Sequence, residues 1–396
     1  MSTDVRVLVS PAGPSLSRSM YGKEYFLFQH LAELDPHIRY DAYFMNIHEI
    51  PPLENISTIE SGSTRNRFYA WSFNVARKGI AAGKYDIYHH MNFHYRFFNP
   101  LVIAGLTDDI PTVIGPVQPP HLVPEPSKRN FIRQISGVEW SDTTLDFVMP
   151  ILEFGKQIIY DSIRQLLFRL TLSRADRVVA VNEETAEIYA NYIHPSKVDV
   201  VPYGVIPERF EEGNPRDSTD IVFIGTQFRR KGVHILLHAW SKVASDFPET
   251  TVHVFGDGPG RIQFEQLADE LKVSDSVVFH GFVDHQEIVN QLGNARAFVH
   301  PSLSEGFPHV RLEAMASACP VIASDIVGTG EMIRDGTDGL VVPVGSVDGL
   351  AEAIATLLAD PELAYNLGRS ARRHVEERYD WATIAADFLD IYRKIR

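Results

Sequence analysis

Residues 301–324 decide how this part of the chain folds, and they read PSLSEGFPHVRLEAMASACPVIAS. An apolar run at 297–299 ends just before this segment, and a polar loop follows it. Apolar residues at helical spacing begin near His309, and a second apolar run occupies 320–323. This order predicts a strand, a loop, a helix and a second strand, which is the repeating unit of a parallel α/β sheet.

The loop before this helix has the properties of an anion-binding site. It places the carboxylates Glu305 and Glu313 on either side of the helix start. The backbone N–H groups of Gly306 and Phe307 precede the first turn, where such groups have no intrahelical partner and lie at the positive end of the helix dipole. Pro308 has no N–H and fixes the entry to the helix, while Gly306 lets the backbone approach a ligand closely. We expect a diphosphate here, and two solvated carboxylates beside a helix start are the alternative.

The same segment resembles the donor-site signature of retaining glycosyltransferases of family 4, which have the two-domain architecture called GT-B. The family pattern is E-G-F-x-x-x-x-x-E-A-M-A-x-G-x-P-V-[IV]-A, and this chain matches it from Glu305 through Glu313 to Ala323. One departure is Ala318, which stands where the family usually has Gly. If that position needs a left-handed conformation, the extra methyl costs about 1 kcal/mol. It weakens a helix cap and removes no chemistry.

Length and composition indicate an ordinary two-domain globular protein. A chain of 396 residues suits two domains of about 200 residues each. Its 44% hydrophobic and 22% charged residues are typical of the soluble globular class. Because Cys319 is the one cysteine, no disulfide can form within the chain, and a reducing cytoplasm is the expected environment.

Charge and hydropathy exclude several other classes of protein. The formal net charge of −14 argues against nucleic acid as a partner. The sequence starts MSTDVRVLVSPAG, without a basic region and a long apolar run, so we expect no signal peptide. The sequence contains no run of 18 apolar residues, so it predicts no membrane-spanning helix. Peripheral contact with the inner face of the membrane stays open, since the apolar-rich stretch 145–172 is interrupted by charges. That stretch is either a membrane-surface helix or an amphipathic helix packed on the first domain.

Strand-like runs alternate with helical patterns throughout, which predicts an α/β fold of two Rossmann-like, doubly wound parallel-sheet domains facing across a cleft. In the first half the predicted strands are 5–10, 40–45, 86–89, 112–115, 177–181 and 198–201, with a helix at 23–34. In the second half they are 220–225, 251–255, 277–280, 297–300, 321–324 and 339–342. With the resemblance, we expect an acceptor-binding domain at 1–203, a donor-binding domain at 204–376, and a C-terminal helix at 377–396 packing back on the first domain.

A second cluster follows the first strand of the second domain, where residues 225–232 read GTQFRRKG. Three adjacent cations, Arg229, Arg230 and Lys231, stand between a strand end and a helix start, which suits two phosphates. The turn resembles the family pattern G-R-x-x-x-x-K-G, whose Arg and Lys hold the donor diphosphate. After Gly225 at the strand end, Lys231 and Gly232 match, whereas Thr226 stands at the family's Arg position. Arg229 or Arg230 could reach the same oxygens, and solvated surface charge is the alternative for both.

Further turns resemble the family in order and spacing. Residues 255–259, FGDGP, resemble its G-x-G-P turn. Gly281 and Phe282 fall in its F-x-G-[FYW]-V element, whose backbone lies near the nucleobase. Residues 175–181 and 202–210 resemble the strand before the hinge and the hinge itself. The resemblance therefore covers most of the chain from Arg174 onward.

The first half resembles the family less closely. Residues 85–90 and 110–116 resemble D-x-x-H-H and P-x-x-x-G-P elements of one branch, and they make His89 or His90 a candidate cleft residue facing donor or acceptor. Gln118 and two prolines stand where that branch has glycines, so the loop is stiffer. His89, His90 and His94 lack a carboxylate cluster in the right place, and no D-x-D element occurs, so we expect no metal.

The resemblance also implies a mechanism. Lys231, helped by Arg229 or Arg230, would neutralise the departing diphosphate of a nucleotide-sugar donor, which is electrostatic catalysis by fixed charges. Glu305 would contact the transferred sugar or support its positively charged transition state, and Glu313 would hold the ribose hydroxyls. Retention would follow from attack on the same face as the leaving phosphate, by a hydroxyl of a glycan or lipid-linked acceptor in polysaccharide or glycoconjugate biosynthesis.

Two other functions fit the same motifs. One is a GT-B enzyme that epimerises or hydrolyses a nucleotide sugar without an acceptor. The other is a non-catalytic protein that binds nucleotide sugars, for which Thr226 and the altered loop at Gln118 are the motivation. Retention of both Glu305 and Glu313 argues against the second.

Overall fold

The computed structural model describes residues 5–16, 23–47, 55–60, 74, 76–91, 110–118, 166 and 168–396. Within these residues the chain forms two separate parallel sheets, of seven and six strands. Each sheet is built from strands that alternate with helices, as the hydrophobic pattern predicts. The expected pair of Rossmann-like domains is confirmed.

The first sheet has the spatial order β3-β2-β1-β4-β5-β6-β7. Its strands are β1 (Val5–Leu16), β2 (Ile38–Ile47), β3 (Ile56–Glu60), β4 (Ile87–His90), β5 (Thr112–Val117), β6 (Arg177–Ala180) and β7 (Val198–Val200). The order changes direction between β1 and β4, and ligands of such sheets bind at the carboxyl ends of the strands on either side of this point. Strand β3 was not predicted from the sequence, and it pairs with β2 at the edge of the sheet.

The second sheet has the spatial order β10-β9-β8-β11-β12-β13. Its strands are β8 (Ile221–Ile224), β9 (Val252–Phe255), β10 (Val277–Gly281), β11 (Ala297–His300), β12 (Val321–Ser324) and β13 (Gly339–Val342). These bounds agree with the predicted strands to within one residue. The order changes direction between β8 and β11, so the loops that follow these two strands flank the crevice where a ligand is expected.

Helices cover the sheets. Those whose bounds are defined by the described residues are α1 (Lys23–Leu34), α2 (Glu183–Ala190), α3 (Val233–Val243), α4 (Arg261–Glu270), α5 (His285–Gly293), α6 (His309–Ala316), α7 (Thr329–Met332), α8 (Val347–Ala359), α9 (Pro361–Arg378) and α10 (Trp381–Ile395). In the described ranges, no helix combines the length and the apolar character that crossing a bilayer needs. The predicted amphipathic helix at 145–172 lies outside the described residues except at its end, where Phe168 and Leu172 are buried.

The last helix, α10, packs on the first sheet although it follows the second sheet in sequence. Trp381, Phe388 and Tyr392 share one hydrophobic core with residues of α1, β1 and β2. The aromatic ring of Tyr392 lies 6.2 Å from that of Tyr40 on β2. The apolar stripe of α10 is therefore buried against the first half of the chain, which ties the two halves together beyond the hinge.

Helix α6 ends in a left-handed residue. The N–H of Ala318 donates to Met315 O at 3.0 Å and the N–H of Cys319 donates to Ala314 O at 2.9 Å, which is the Schellman pattern. Ala318 has φ 54°, the left-handed conformation that glycine adopts without steric cost. The departure from the family pattern at this position therefore strains the end of the helix that carries Glu313.

Candidate functional site

Two loops meet where the second sheet changes direction. Strands β8 and β11 are neighbours, with Ile221 opposite Ala297, and the loops after them carry the cationic turn and Glu305. The two loops are joined by a hydrogen bond from Leu303 N–H to Arg230 O at 2.8 Å. A Cβ at Gly232, whose φ is +82°, would collide with the carbonyl oxygen of Pro301. Glycine at this position therefore lets the cationic turn lie directly on the Glu305 loop.

Glu305 lies at the centre of this contact and is only 9% exposed. Its Oε1 atom lies 2.5 Å from Lys231 Nζ and 3.2 Å from Arg230 Nη1. Ser302 Oγ donates a hydrogen bond to the same Oε1 atom at 3.0 Å. Two motifs separated by more than 70 residues in sequence thus form one ionic cluster of two cations and one carboxylate.

The environment of Lys231 makes it responsive to added negative charge. Burial lowers the pKa of Lys231, the nearby guanidinium groups of Arg230 and Arg311 lower it further, and Glu305 opposes them. A bound diphosphate would bring more negative charge next to the ammonium group, which favours its charged form. The cluster therefore holds a lysine whose charge is stabilised by the ligand it would bind.

The two candidate arginines lie differently. Arg230 Nη1 donates to Ser304 O at 3.1 Å and pairs with Glu305, although 43% of its side chain is exposed. Arg229 starts the short 3-10 turn Arg229–Lys231 and is exposed, as is Thr226. The structure therefore brings Arg230, rather than Arg229, to the side of Glu305.

Three glycine turns at the ends of β8, β9 and β10 form the adjoining part of the site. Gly225 N–H donates to Phe255 O at 3.0 Å, and Gly256 N–H donates to Gly281 O at 2.8 Å. A Cβ at Gly256 would collide with Gly225 O, so these backbones pack directly on one another. Beyond Gly281, the ring of Phe282 is 78% exposed. An exposed aromatic ring beside bare backbone is a surface on which a planar base can lie.

Glu313 lies on α6 and faces the hinge. Its Oε2 atom is 3.8 Å from His285 Nε2, and its side chain is 14% exposed. It lines a cavity that also contacts Gly204 and Arg209 of the hinge segment and His309. Glu305 and Glu313 therefore lie in separate parts of the site, the first in the ionic cluster and the second beside the hinge.

The remaining residues of the loop fix its shape. Pro308 is the N-cap of α6, with φ −81°, so it stands one position before the first helical residue. Phe307 is mostly buried, and its ring lies 5.4 Å from that of Tyr203 in an edge-to-face contact. Among the described contacts, none engages the backbone N–H of Gly306 or Phe307. These two donors are available to a ligand, whereas the ring of Phe307 mainly anchors the loop to the hinge.

Gln118 reaches this loop from the first sheet. It follows β5, and a Cβ at Gly306 would collide with its carboxamide. The backbone carbonyl oxygen of Gln118 accepts a hydrogen bond at 3.2 Å from the hydroxyl of Tyr189, a buried residue of α2. From the sequence, Gln118 was identified only as a departure from the family pattern that stiffens a loop. Its position directly after a strand of the first sheet indicates that it could face the crevice.

His89 does not face the crevice, which corrects the expectation that it contacts donor or acceptor. It is fully buried, its Nδ1 atom lies 2.6 Å from the Tyr392 hydroxyl, and its Nε2 atom lies 2.8 Å from Gly115 O. Burial lowers the pKa of His89 to about 4, so the ring is neutral. His90, the last residue of β4, is also buried and its Nδ1 atom lies 3.2 Å from the Tyr88 hydroxyl. His89 therefore serves the packing of the first sheet, whereas a role for His90 in the crevice stays a prediction.

Metal-ligating side chains do not cluster in the part of the chain that the structure describes, where no group of three His, Cys, Asp or Glu residues could hold an ion. His94, the third histidine of the candidate set, lies outside the described residues.

Comparison with known proteins agrees with this geometry. The family model described as "Glycosyl transferases group 1" matches residues 206–374, and the model described as "Glycosyltransferase Family 4" matches residues 47–209. Glycogen synthase of Mycobacterium tuberculosis is 30% identical over 216 residues, which are 54% of this chain and 52% of that protein. The chain thus spans about half the length of this and several other curated relatives that it matches.

Other relatives match more completely. Phosphatidyl-myo-inositol mannosyltransferase of Mycolicibacterium smegmatis is 24% identical over 92% of this chain and 84% of its own length. Among solved structures, sucrose-phosphate synthase from Thermosynechococcus elongatus superposes with a TM-score of 0.71 at 21% identity, over 99% of both chains. The Anabaena protein Alr3699/HepE in complex with UDP superposes with a TM-score of 0.68 at 16% identity, over 98% of this chain and 100% of that one. The chain belongs to the group 1, family 4 glycosyltransferases of GT-B fold.

Proposed function

We propose that this protein is a retaining, metal-independent glycosyltransferase that moves a sugar from a nucleotide-diphosphate donor to a hydroxyl of a glycan or lipid-linked acceptor. The observation that carries the proposal is the ionic cluster of Lys231, Arg230 and Glu305 at the point where the second sheet changes direction. The names of the relatives, which include a glycogen synthase and a phosphatidyl-myo-inositol mannosyltransferase, support this class of reaction.

The diphosphate would lie between the cations and the start of α6. Lys231 and Arg230 supply two positive charges, and the N–H groups of Gly306 and Phe307 supply hydrogen-bond donors on the other side. Charges that are already in place need no reorganisation as the leaving group gains negative charge, which is why such preorganisation lowers the barrier. The nucleobase would lie by Gly281 and Phe282.

The two glutamates would act on different parts of the donor. Glu305 is held through Oε1, so its second oxygen is available to accept hydrogen bonds from hydroxyls of the transferred sugar and to stabilise positive charge at its anomeric carbon. Glu313, near the hinge, would accept hydrogen bonds from the ribose hydroxyls. In the reaction the bond from the anomeric carbon to the phosphate oxygen breaks, the bond to the acceptor oxygen forms on the same face, and the acceptor proton passes to the leaving phosphate.

The setting of this reaction is also a proposal. We infer a cytoplasmic enzyme, free or peripheral at the inner face of the membrane, because the single cysteine, Cys319, suits a reducing compartment. We propose that residues 1–203 form an acceptor-binding domain and residues 204–376 a donor-binding domain. The helix at 377–396 would pack back on the first domain. The packing of α10 in the first core supports the last part.

A donor screen tests the function. UDP-, GDP- and ADP-sugars are incubated with the full chain and a panel of glycan and lipid-linked acceptors, with and without EDTA, and products are analysed by mass spectrometry and by NMR of the new anomeric bond. We expect one nucleotide sugar to give a glycoside with the donor's anomeric configuration at an unchanged rate in EDTA. Free sugar as the main product in the presence of acceptor would favour a hydrolase, and binding without turnover would favour a non-catalytic protein.

A further inference from the structure

Arg311 is a buried charge that the proposed mechanism does not use. It lies on α6 between Glu305 and Glu313 in sequence, and it is 1% exposed. Its Nη1 donates to Thr329 Oγ1 at 2.7 Å and its Nη2 donates to Ser324 O at 3.1 Å. Burying a guanidinium is costly, and none of its described hydrogen bonds goes to a carboxylate. Because its burial is costly, we looked for a function of the Arg311 guanidinium in its hydrogen-bond partners.

The third contact of Arg311 leads towards the reaction site. Its Nε donates at 3.0 Å to Nδ1 of His300, the fully buried last residue of β11. A guanidinium has donors only, so Nδ1 must accept and the ring proton must lie on Nε2. Burial, together with the positive charges of Arg311, Lys231 and Arg230, holds the pKa of His300 well below its usual range. His300 is therefore neutral and fixed in one tautomer.

That tautomer determines what Ser302 can do. His300 Nε2 lies 3.3 Å from Ser302 Oγ, and because Nε2 carries the proton it donates to the serine oxygen. The serine hydroxyl is then free to donate in turn, and it does so to Glu305 Oε1 at 3.0 Å. Arg311, His300 and Ser302 form a chain in which every donor points towards Glu305. Hydrogen bonds aligned in this way polarise and strengthen one another.

The end of the chain coincides with the ionic cluster. Ser302, Lys231 and Arg230 all contact Oε1 of Glu305 in their described contacts. These contacts hold the carboxylate through Oε1, and in the proposed mechanism Oε2 is the atom that accepts from the sugar. Burial lowers the pKa of Arg311 to about 9, while Glu305 and Asp325 raise it, so the origin of the chain stays charged at neutral pH.

We propose that Arg311 is a positioning residue for Glu305, acting through His300 and Ser302 to keep the serine hydroxyl donating to the carboxylate. The inference rests on the proposed role of Glu305 in sugar transfer. Without Arg311, His300 can move its proton to Nδ1, and Nε2 then accepts from Ser302. The serine hydroxyl turns away from Glu305, which loses one of the three contacts that fix its rotation.

The tautomer of His300 can be measured without any activity. In the protein labelled with ¹⁵N-histidine, long-range ¹H–¹⁵N spectra distinguish the Nδ1–H, Nε2–H and charged forms, and a His300→Phe variant assigns the signal among the 16 histidines. We expect a neutral Nε2–H ring in the full chain between pH 5.5 and 8, and a shift towards Nδ1–H in Arg311→Met. An Nδ1–H or charged ring in the unaltered protein would overturn the proposal, whether or not the protein transfers sugar.

Kinetics test the consequence for Glu305. Arg311→Met and Ser302→Ala should each lower kcat by about 10- to 100-fold, because a small misplacement of a reacting group has an effect of this size, while the donor Kd changes little. The double variant should fall no further than the worse single variant, since both break the same chain. Multiplying effects, or an unchanged kcat in Arg311→Met, would contradict the proposal.

A matched control separates positioning from simple loss of a buried guanidinium. Arg296 immediately precedes the other end of β11, is 3% exposed and donates to the carbonyl oxygens of Pro215, Ser218, Leu357 and Leu358. Arg296→Met should lower the free energy of unfolding without changing kcat of the folded fraction or the tautomer of His300. If it lowers kcat as much as Arg311→Met does, Arg311 acts through stability alone and the proposal fails.

Discussion

The two sides of the crevice treat their polar groups in opposite ways. On the second sheet, the carboxylate of Glu305 pairs with two cations, Lys231 and Arg230, so the cluster keeps one net positive charge, and the side chain of Arg230 is 43% exposed. On the first sheet, His89 uses both ring nitrogens within the core, and the next residue, His90, is also buried. Gln118 is the described side chain that reaches from this side to the Glu305 loop. Among the described residues, the charged cluster thus lies on the second sheet, whereas the first sheet brings a neutral amide to the same loop.

Removing the carboxylate of Glu305 should have the largest effect. Glu305→Ala is expected to lower kcat by about 1000-fold, since a preorganised charge at the reacting centre is lost. Affinity for the nucleoside diphosphate should stay the same or rise, because the carboxylate no longer competes for Lys231. Initial rates and calorimetric titration measure the two quantities. Glu305→Gln, which keeps the shape of the side chain, serves as the control and should be almost as slow.

The charge of Lys231 should give the reaction a recognisable pH dependence. Because burial lowers the pKa of Lys231, its neutral form appears at a lower pH than in a free lysine. Bound diphosphate raises this pKa again, so the alkaline fall of kcat/KM should lie at lower pH than that of kcat. The pH profiles of both parameters from pH 6 to 10 provide the measurement. Lys231→Arg should move both falls to higher pH, and coincident falls in the unaltered protein would argue against a charge shared with the ligand.

Gln118 tests the contribution of the first sheet to the reaction. Gln118→Ala should lower kcat/KM by about tenfold, the loss expected for one hydrogen bond to a bound substrate, while the free energy of unfolding stays within about 0.5 kcal/mol. Steady-state kinetics and urea denaturation measure the two effects. Gln118→Asn, which keeps the amide on a shorter side chain, should recover only part of the activity. If kcat and KM of Gln118→Ala are unchanged, then Gln118 does not contact the substrate, and the described residues that contribute to the reaction all lie in the second domain.

His89 should behave in the opposite way. His89→Phe removes the partner of the Tyr392 hydroxyl and of Gly115 O, so the free energy of unfolding should fall by about 2–4 kcal/mol, with kcat/KM of the folded protein unchanged. The pKa of His89 is lowered to about 4, so the unfolded state binds a proton first as pH falls below 6.5. Stability should decline from pH 6.5 towards pH 4, less steeply in the variant. A rise in KM without a loss of stability in His89→Phe would indicate that His89 contacts a substrate in the crevice after all.

The smallest effect should come from the end of α6. Ala318→Gly relieves a left-handed backbone, which should stabilise the protein by up to about 1 kcal/mol, offset in part by the lost methyl contacts. Thermal and urea denaturation measure the change, and Ser317→Gly, at an adjacent right-handed position, should destabilise. A destabilised Ala318→Gly protein would mean that methyl packing outweighs strain, and would leave the chemistry of Glu305 untouched.

The sequence predicts the fold of the second domain well because the signals are local. Short apolar stretches mark every strand of the second sheet, and a single loop connects Glu305 to the start of α6. The one missed strand, β3, is short, partly exposed and lies at a sheet edge. Its sequence ISTIE alternates too briefly to be distinguished from a loop.

The facing side could not be predicted because its contacts join distant parts of the chain. His89 meets Tyr392 across 303 residues, so nothing near it in sequence indicates that its nitrogens are occupied. The contact between the side chain of Gln118 and Gly306 depends on how the two domains lie against each other. Arg311 occupies an unspecified position of the family pattern. The sequence of a helix does not show whether a charged residue in it is buried, nor that Arg311 contacts His300.

We propose that the cluster of Lys231, Arg230 and Glu305 holds the diphosphate of a nucleotide sugar. Calorimetric titration of the full chain and of Lys231→Met, with the nucleoside diphosphate and monophosphate of the same base, tests it most directly. We expect the unaltered protein to bind the diphosphate at least about tenfold more tightly than the monophosphate, as an added charge-assisted hydrogen bond would give. Lys231→Met should abolish this difference. Equal preference for the diphosphate in both proteins would contradict the account.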